Sequence, residues 1–187
     1  MSARPRERRG CRRQRAIRIV RSQADKWYVN PDKIGVIGFS AGGHLASTLG
    51  TQFDKPNDFK ETPLDTISAR PDFMALIYPV VTMKLDYTHK GSRNNLLGQN
   101  PSEDLVDQYS NELQVSKNTP PAFIVHSEDD HAVPIENSLQ LYKALKDNGI
   151  KAEMHIYPYG GHGFGLALGK GRLEKWPDRL YDWLQSL

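Results

Sequence analysis

Cysteine is nearly absent from this 187-residue sequence: the single Cys11 cannot form an internal disulfide and has no thiolate partners for a metal site. Long apolar runs are missing as well. No stretch approaches the roughly 18 consecutive apolar residues of a membrane span, and the N-terminus lacks the apolar core of a secretory signal. A reducing cytoplasm is the default expectation, secretion staying open should the native N-terminus be missing, and no membrane partner is expected. No two of the six histidines stand at helical or zinc-motif spacing, so neither a metal nor another cofactor is expected. Internal repeats, low-complexity tracts and a linker to a second domain are also lacking. What remains, 38% apolar and 25% charged residues, suits one compact globular domain.

Charge is unevenly placed. Residues 1–21 hold nine arginines against one acid, Glu7, a balance of +8 that leaves −5 for the other 166 residues. An arginine-rich arm points toward nucleic acid, an anionic surface or a transit peptide. Here no aromatic residue interleaves for base stacking and no nucleic-acid motif follows, which argues against a nucleic-acid partner. The composition changes abruptly near Gln14. Residues 1–13 are accordingly read as a leader foreign to the fold, and 14–187 as one catalytic domain.

From Gln14 to Tyr28, Ala16, Ile17, Val20, Ala24 and Trp27 recur at spacings of three and four, marking one face of a helix. A short β-branched run, Lys33–Ile37, then meets Gly38-Phe39-Ser40-Ala41-Gly42 and a helix-compatible stretch, Gly43–Leu49. After a polar connection containing Pro56 and Pro63, Asp72–Tyr78 reads as a strand buried on both faces. The polar segment Thr82–Thr119 has room for binding loops or a partial lid, with a short helix near Asp104–Tyr109. Strands follow at Ala122–His126 and Ala152–Tyr157, with helices at Ile135–Lys146 and Leu173–Leu187. This alternation predicts an α/β fold: a mostly parallel sheet of about four strands with right-handed crossovers and helices on both faces.

Three loops carry chemistry. A serine hydroxyl becomes a useful nucleophile only when a base removes its proton and its oxygen projects free of the backbone. A sharp strand-to-helix turn provides that projection, and Gly38 and Gly42 are expected where side chains would clash. Phe39 completes this nucleophile elbow around Ser40. The following helix directs free N–H groups toward developing negative charge. After the third strand, Glu128, Asp129 and Asp130 compete for the role of orienting acid at the carboxyl end of the sheet. After the last strand, Gly160-Gly161-His162-Gly163 lets a loop carry one imidazole back over the sheet, and the chain order Ser, Asp, His is that of one serine-hydrolase fold. His44, His89, His126, His131 and His155 are weaker candidates for the base, although His126 and His131 flank the acid.

GFSAGGHLAS, HSEDDHAVP and YGGHGFGL together resemble the α/β-hydrolase esterases related to acetyl xylan esterases, dienelactone hydrolases and prolyl oligopeptidase-type hydrolases, over roughly residues 14–187. The resemblance implies Ser40 as nucleophile, Asp130 as acid through its D-x-x-V-P spacing, His162 as base, and the Ala41 backbone N–H as one oxyanion donor. It implies hydrolysis of short-chain carboxylic esters, among them acetyl esters on plant polysaccharide, through an acyl-enzyme and without a cofactor. Two alternatives compete. One is a prolyl oligopeptidase-type peptidase, which usually brings a large additional domain; the other is a catalytically impaired fragment that only binds a ligand or partner.

The departure from the pattern is as specific as the match. In the resembled family the nucleophile strand is the fifth of eight, whereas only about thirty residues precede it here. Roughly four strands are expected to be missing, together with the His-Gly-Gly type segment that supplies a second oxyanion donor, a loss worth about 10² to 10³ in rate. The strand at 33–37 is then expected to form a sheet edge, and a homodimer through that edge is expected in turn.

Overall fold

The computed structural model describes residues 5–55 and 62–187, with side chains from residue 12 onward. Met1–Arg4, the Cys11 side chain and the connection at Pro56 lie outside that description.

Four strands form a single sheet in the order β1-β2-β3-β4, all parallel: β1 (Val36–Phe39), β2 (Met74–Ile77), β3 (Ala122–Ser127) and β4 (Ala152–Tyr157). Parallel neighbours cannot be joined by tight turns, so each connection crosses a face of the sheet. Side chains alternate between faces along each strand, and two cores follow from that alternation. On one face Ile77, Phe123 and Val125 pack with Trp176 and Trp183 of α7 (Trp176–Gln185). On the other, Met74, Leu76, Ala122 and Ile124 pack with Ala46 of α3 (Ala41–Thr51) and with Leu141 and Leu145 of α6 (Glu136–Asp147). The central strands β2 and β3 are buried along their whole length, the signature of continuous apolar runs covered on both faces. The sheet lies between helices on both sides, as the alternation of elements requires.

The N-terminal helical region differs from its periodicity. Helix α1 runs Pro5–Ser22, straight through the compositional change at Gln14, and α2 (Ala24–Trp27) is a separate turn closed by Tyr28 in the left-handed region at φ 54°. Ile17 and Ala24 are buried as the spacing predicts, but Ala16 and Trp27 are exposed. The reason lies in long-range anchoring. Arg18 pairs with Asp65, and Arg21 donates to the carbonyls of Pro31, Ser68 and Arg70 and pairs with Asp72, all within 3.0 Å. These contacts fix where α1 ends. Strand β1 also begins three residues later than predicted, because Lys33 closes a turn onto the Asn30 carbonyl and the Ile34 amide is taken by the Asp72 carboxylate.

Residues 82–119 fold against the body of the domain. Helix α4 (Lys90–Leu97) is capped by the His89 ring, which accepts from the Ser92 amide at 3.2 Å; α5 (Glu103–Tyr109) starts at Ser102. Leu97 and Met83 bury against Val80 and Val133, with Leu105 and Val106 of α5 packed alongside.

Candidate active site

Ser40, Asp130 and His162 each follow the carboxyl end of a strand, β1, β3 and β4 respectively, so parallel order alone delivers all three to one rim of the sheet. Ser40 occupies φ 52°, ψ −121°, a region that costs a non-glycine residue about 1–3 kcal/mol and persists only when neighbours over-determine it. Here the Ser40 amide continues the sheet by donating to the Ile77 carbonyl at 3.0 Å. Its own carbonyl receives the amides of Gly43 at 2.9 Å and Val80 at 3.0 Å. The hydroxyl is left free to project.

One expectation for the elbow is corrected. A Cβ on Gly38 would lie 2.3 Å from the Gly42 carbonyl oxygen, so Gly38 is indeed a close approach. A Cβ on Gly42 would meet nothing within 4 Å, whereas one on Gly43 would lie 2.6 Å from the Pro79 Cβ. The second crowded position is Gly43 rather than Gly42, because α3 presses on the β2-terminal Tyr78-Pro79 turn. Gly42 instead faces an open groove of about 460 Å³ with Ile37, Leu45 and Arg13 among its walls.

The Ser40 hydroxyl stands 2.8 Å from His162 Nε2, and His162 Nδ1 stands 2.7 Å from an Asp130 carboxylate oxygen. That geometry fixes the tautomer: with a proton on Nδ1 held by the carboxylate, Nε2 is free to accept from the serine. Gly161 and Gly163, at φ 61° and 76°, let the chain turn on both sides of His162. The Tyr78 ring meets the imidazole edge-on at 4.9 Å, and its hydroxyl accepts from the Gly165 amide at 3.2 Å. Burial pushes the Tyr78 phenol up, so it stays a neutral wall of the site.

Asp130 is a carboxylate with every acceptor position used. One oxygen receives the amides of Ala132 at 2.9 Å and Val133 at 2.8 Å; the other receives His162 and, at 3.3 Å, Nε2 of the fully buried His126. His126 Nε2 also lies 3.0 Å from the Val133 carbonyl, so with two acceptors before it that nitrogen carries a proton. Its Nδ1 accepts from the Ser138 hydroxyl at 2.7 Å. Burial alone would raise the Asp130 pKa, but the donors from His126, Val133 and His162 outweigh it and bring it down to about 2. Asp130 is therefore ionised throughout the neutral range.

Asp129, the competing acid, is placed differently. Its carboxylate accepts the Gly161 amide at 2.7 Å, a contact that lowers its pKa, while the Ser127 hydroxyl donates to the Gly161 carbonyl at 2.6 Å. Both hold the backbone that carries His162 rather than the imidazole. The exposed Glu128 makes no side-chain hydrogen bond among the described residues. His44, on α3, is buried and donates to the Tyr109 carbonyl at 2.8 Å; burial lowers its pKa to about 4, leaving it neutral. His155 pairs with Glu153 on β4, His89 caps α4, and His131 is exposed.

Ala41 is the first residue of α3, so its N–H has no helical carbonyl to donate to and is available at the mouth of the site. Beside it lies a cavity of about 170 Å³ whose walls include Leu45, Met83, Leu96 and Tyr109. Residues 83–109 thus furnish one side of the space next to the serine. Among the described residues, no cluster of three or more His, Cys, Asp or Glu side chains could hold a metal ion, and no helix is long and apolar enough to cross a membrane.

A parallel sheet whose first strand turns sharply into a helix at a serine, with an acid and a histidine delivered from later strand ends, defines an α/β-hydrolase fold of the serine-esterase type. Comparison with known proteins agrees. The BD-FAE family profile matches residues 11–145, and the chain belongs to that family. It is 37% identical over 182 residues to an acetylxylan esterase of Xylanibacter ruminicola, covering 93% of this chain and 35% of that protein. It is 40% identical over 153 residues to endo-1,4-beta-xylanase B of Butyrivibrio fibrisolvens, covering 82% of this chain and 24% of that one. The crystal structure of an acetyl ester-xyloside bifunctional hydrolase from Caldicellulosiruptor lactoaceticus superposes with a TM-score of 0.88 at 44% identity, over 93% of this chain and 64% of that chain. The chain thus spans about a third or less of the length of these two curated relatives.

Proposed function

We propose that this chain hydrolyses short-chain carboxylic esters, acetyl esters on plant polysaccharide foremost, with Ser40 as nucleophile, His162 as general base and Asp130 as orienting acid. The observation that carries this reading is the unbroken line of contacts from the Ser40 hydroxyl through the imidazole to the Asp130 carboxylate, at 2.8 and 2.7 Å. His162 Nε2 takes the serine proton as the oxygen attacks the ester carbonyl. Asp130, held ionised by its four donors, stabilises the imidazolium that results. The Ala41 N–H donates to the oxyanion, and the imidazolium then protonates the departing alcohol. Water, deprotonated by the same nitrogen, releases the acid from the acyl-enzyme. The names of the acetylxylan esterase and the acetyl ester-xyloside hydrolase favour an acetyl group on a saccharide as the substrate.

Replacing Ser40 by Ala tests the assignment. Turnover of a chromogenic acetate ester should fall by about 10⁶, the loss seen when a serine triad is broken, and a fluorophosphonate should label the unmodified protein but not the variant. Full activity in Ser40→Ala overturns the reading. Absence of both labelling and turnover in the unmodified protein favours the alternative of a chain that only binds ligand.

We propose in addition that the open edge of β1 pairs with a second copy of the chain. The Val36 and Ser40 amides donate to β2, so alternation turns the polar backbone groups of Ile37 and Phe39 the other way, toward the groove at Gly42.

A further inference from the structure

On the far side of the His162 loop, between the outer edge of β4 and the start of α7, lies an open cleft of about 640 Å³. That size falls within the roughly 300–1,000 Å³ typical of small-ligand sites. Its walls carry four cations, Lys170, Arg172, Lys175 and Arg179, and two tyrosines, Tyr157 and Tyr159, and no carboxylate lines it. Acids do stand nearby: Glu153 lies 2.7 Å from His155 on the wall, whereas Glu174 and Asp178 lie 4.0 and 3.9 Å from Lys175 and Asp182 lies 3.8 Å from Arg179, so the four cations themselves have only long acidic contacts among the described residues. Lys170 and Arg172 have no ion pair among the described residues. The two guanidiniums are close enough to the Tyr157 phenol to offset part of the upward shift that burial imposes on it. Tyr159, 78% exposed, offers a flat face to solvent.

A cleft walled by charges of one sign focuses the local field and concentrates counter-ions within it. Guanidiniums recognise carboxylates in a planar, two-pronged geometry, while an exposed ring adds an apolar platform beside them. We infer that this cleft binds a carboxylate-bearing sugar, a uronate residue of an acidic polysaccharide, and so docks the chain on the polymer whose esters Ser40 attacks. The inference rests on the saccharide-ester reading above. The cleft is coupled to the site through one loop: Lys170 donates to the Gly160 carbonyl at 3.2 Å, two residues before His162, and Leu173 packs under Gly160.

Isothermal titration with tri-galacturonate and with neutral xylotriose tests it. The acidic trisaccharide should bind about tenfold more tightly or better, the scale of charge-assisted hydrogen bonds. Raising salt from about 50 mM to about 300 mM should weaken that binding, since exposed charges are screened. The double variant R172Q/R179Q should bring the acidic trisaccharide down to the affinity of the neutral one while leaving turnover of a chromogenic acetate unchanged. Equal binding of the two sugars, or undiminished acidic-sugar binding in the variant, overturns the inference. So does binding of single-stranded RNA or duplex DNA at this cleft with none of the trisaccharide. The acetate assay reports separately on Ser40: its failure sinks the esterase reading, whereas loss of sugar preference with intact acetate turnover sinks only the docking site.

Discussion

At the residue scale, two adjacent aspartates hold different parts of one loop. Asp130 meets the imidazole, whereas Asp129 meets the Gly161 amide. Asp130→Asn should reduce turnover by about 10⁴, because an amide does not stabilise the imidazolium and favours the wrong tautomer. Asp129→Ala removes one hydrogen bond behind the histidine, and about tenfold is expected. Reversal of that order in steady-state kinetics would assign the acid to Asp129. The same carboxylate shapes acid stability. The folded pKa of Asp130, about 2, lies below its ordinary 3.8, so the stabilisation is complete above about pH 4 and is lost as pH falls toward 2. From pH 5 to pH 2 the unmodified protein should lose about 2 kcal/mol more in urea unfolding than Asp130→Asn does. The D-x-x-V-P pattern of the resembled family favours Asp130 while leaving Asp129 open, and nothing in the sequence points to the support that Asp130 receives. His126 was legible as a residue flanking the acid, but not as its donor: only the register of β3 against α6 brings Ser138 and the Asp130 loop to its two nitrogens. Tyr78 was legible only as the end of an apolar run; its contact with His162 spans 84 positions along the chain.

At the element scale, strands were easier to read than helix ends. β4 falls where alternation places it, and β3, introduced by Pro120-Pro121, extends one residue further, whereas the β-branched run at 33–37 misplaces the start of β1 by three residues. The end of α1 was not legible, since the apolar period continues past Ser22 and the arginine anchors that stop the helix reach residues 31 to 72. Helix α4 was hidden for a different reason: its only large apolar residues, Leu96 and Leu97, are adjacent and show no period. The nucleophile helix offers the sharpest test of packing against pattern. Gly43→Ala should cost about 1–3 kcal/mol, because its Cβ would press on the Pro79 backbone, where the Cα lies 2.8 Å away. Gly42→Ala enters open space and replaces a glycine within a helix, so it should be neutral or stabilising by up to about 1 kcal/mol. Urea denaturation of the two single variants decides the matter, and equal destabilisation would show that the groove beside Gly42 is filled in solution.

At the scale of the whole molecule, the groove at Gly42 and the β1 edge are one surface. Ile37 is 50% exposed and Leu45 46% exposed, and they stand beside a strand that lacks a neighbour on that side among the described residues. Natural sheets blunt such edges with charge, proline or a covering element, because an apolar edge with free backbone groups is a template for pairing. Within β1 itself, Val36–Phe39, there is neither a charge nor a proline. A self-complementary contact about a two-fold axis would pair the edge with its own copy in antiparallel sense, burying Ile37 and Leu45 from both chains and extending the sheet from four strands to eight. Light scattering should then give a mass near twice 21.2 kDa at high concentration. Ile37→Lys should return the protein to the monomer, since a lysine on the edge must be buried without a partner for the pair to form. An unmodified protein that stays monomeric in the same measurement removes the second copy as the occupant of this edge.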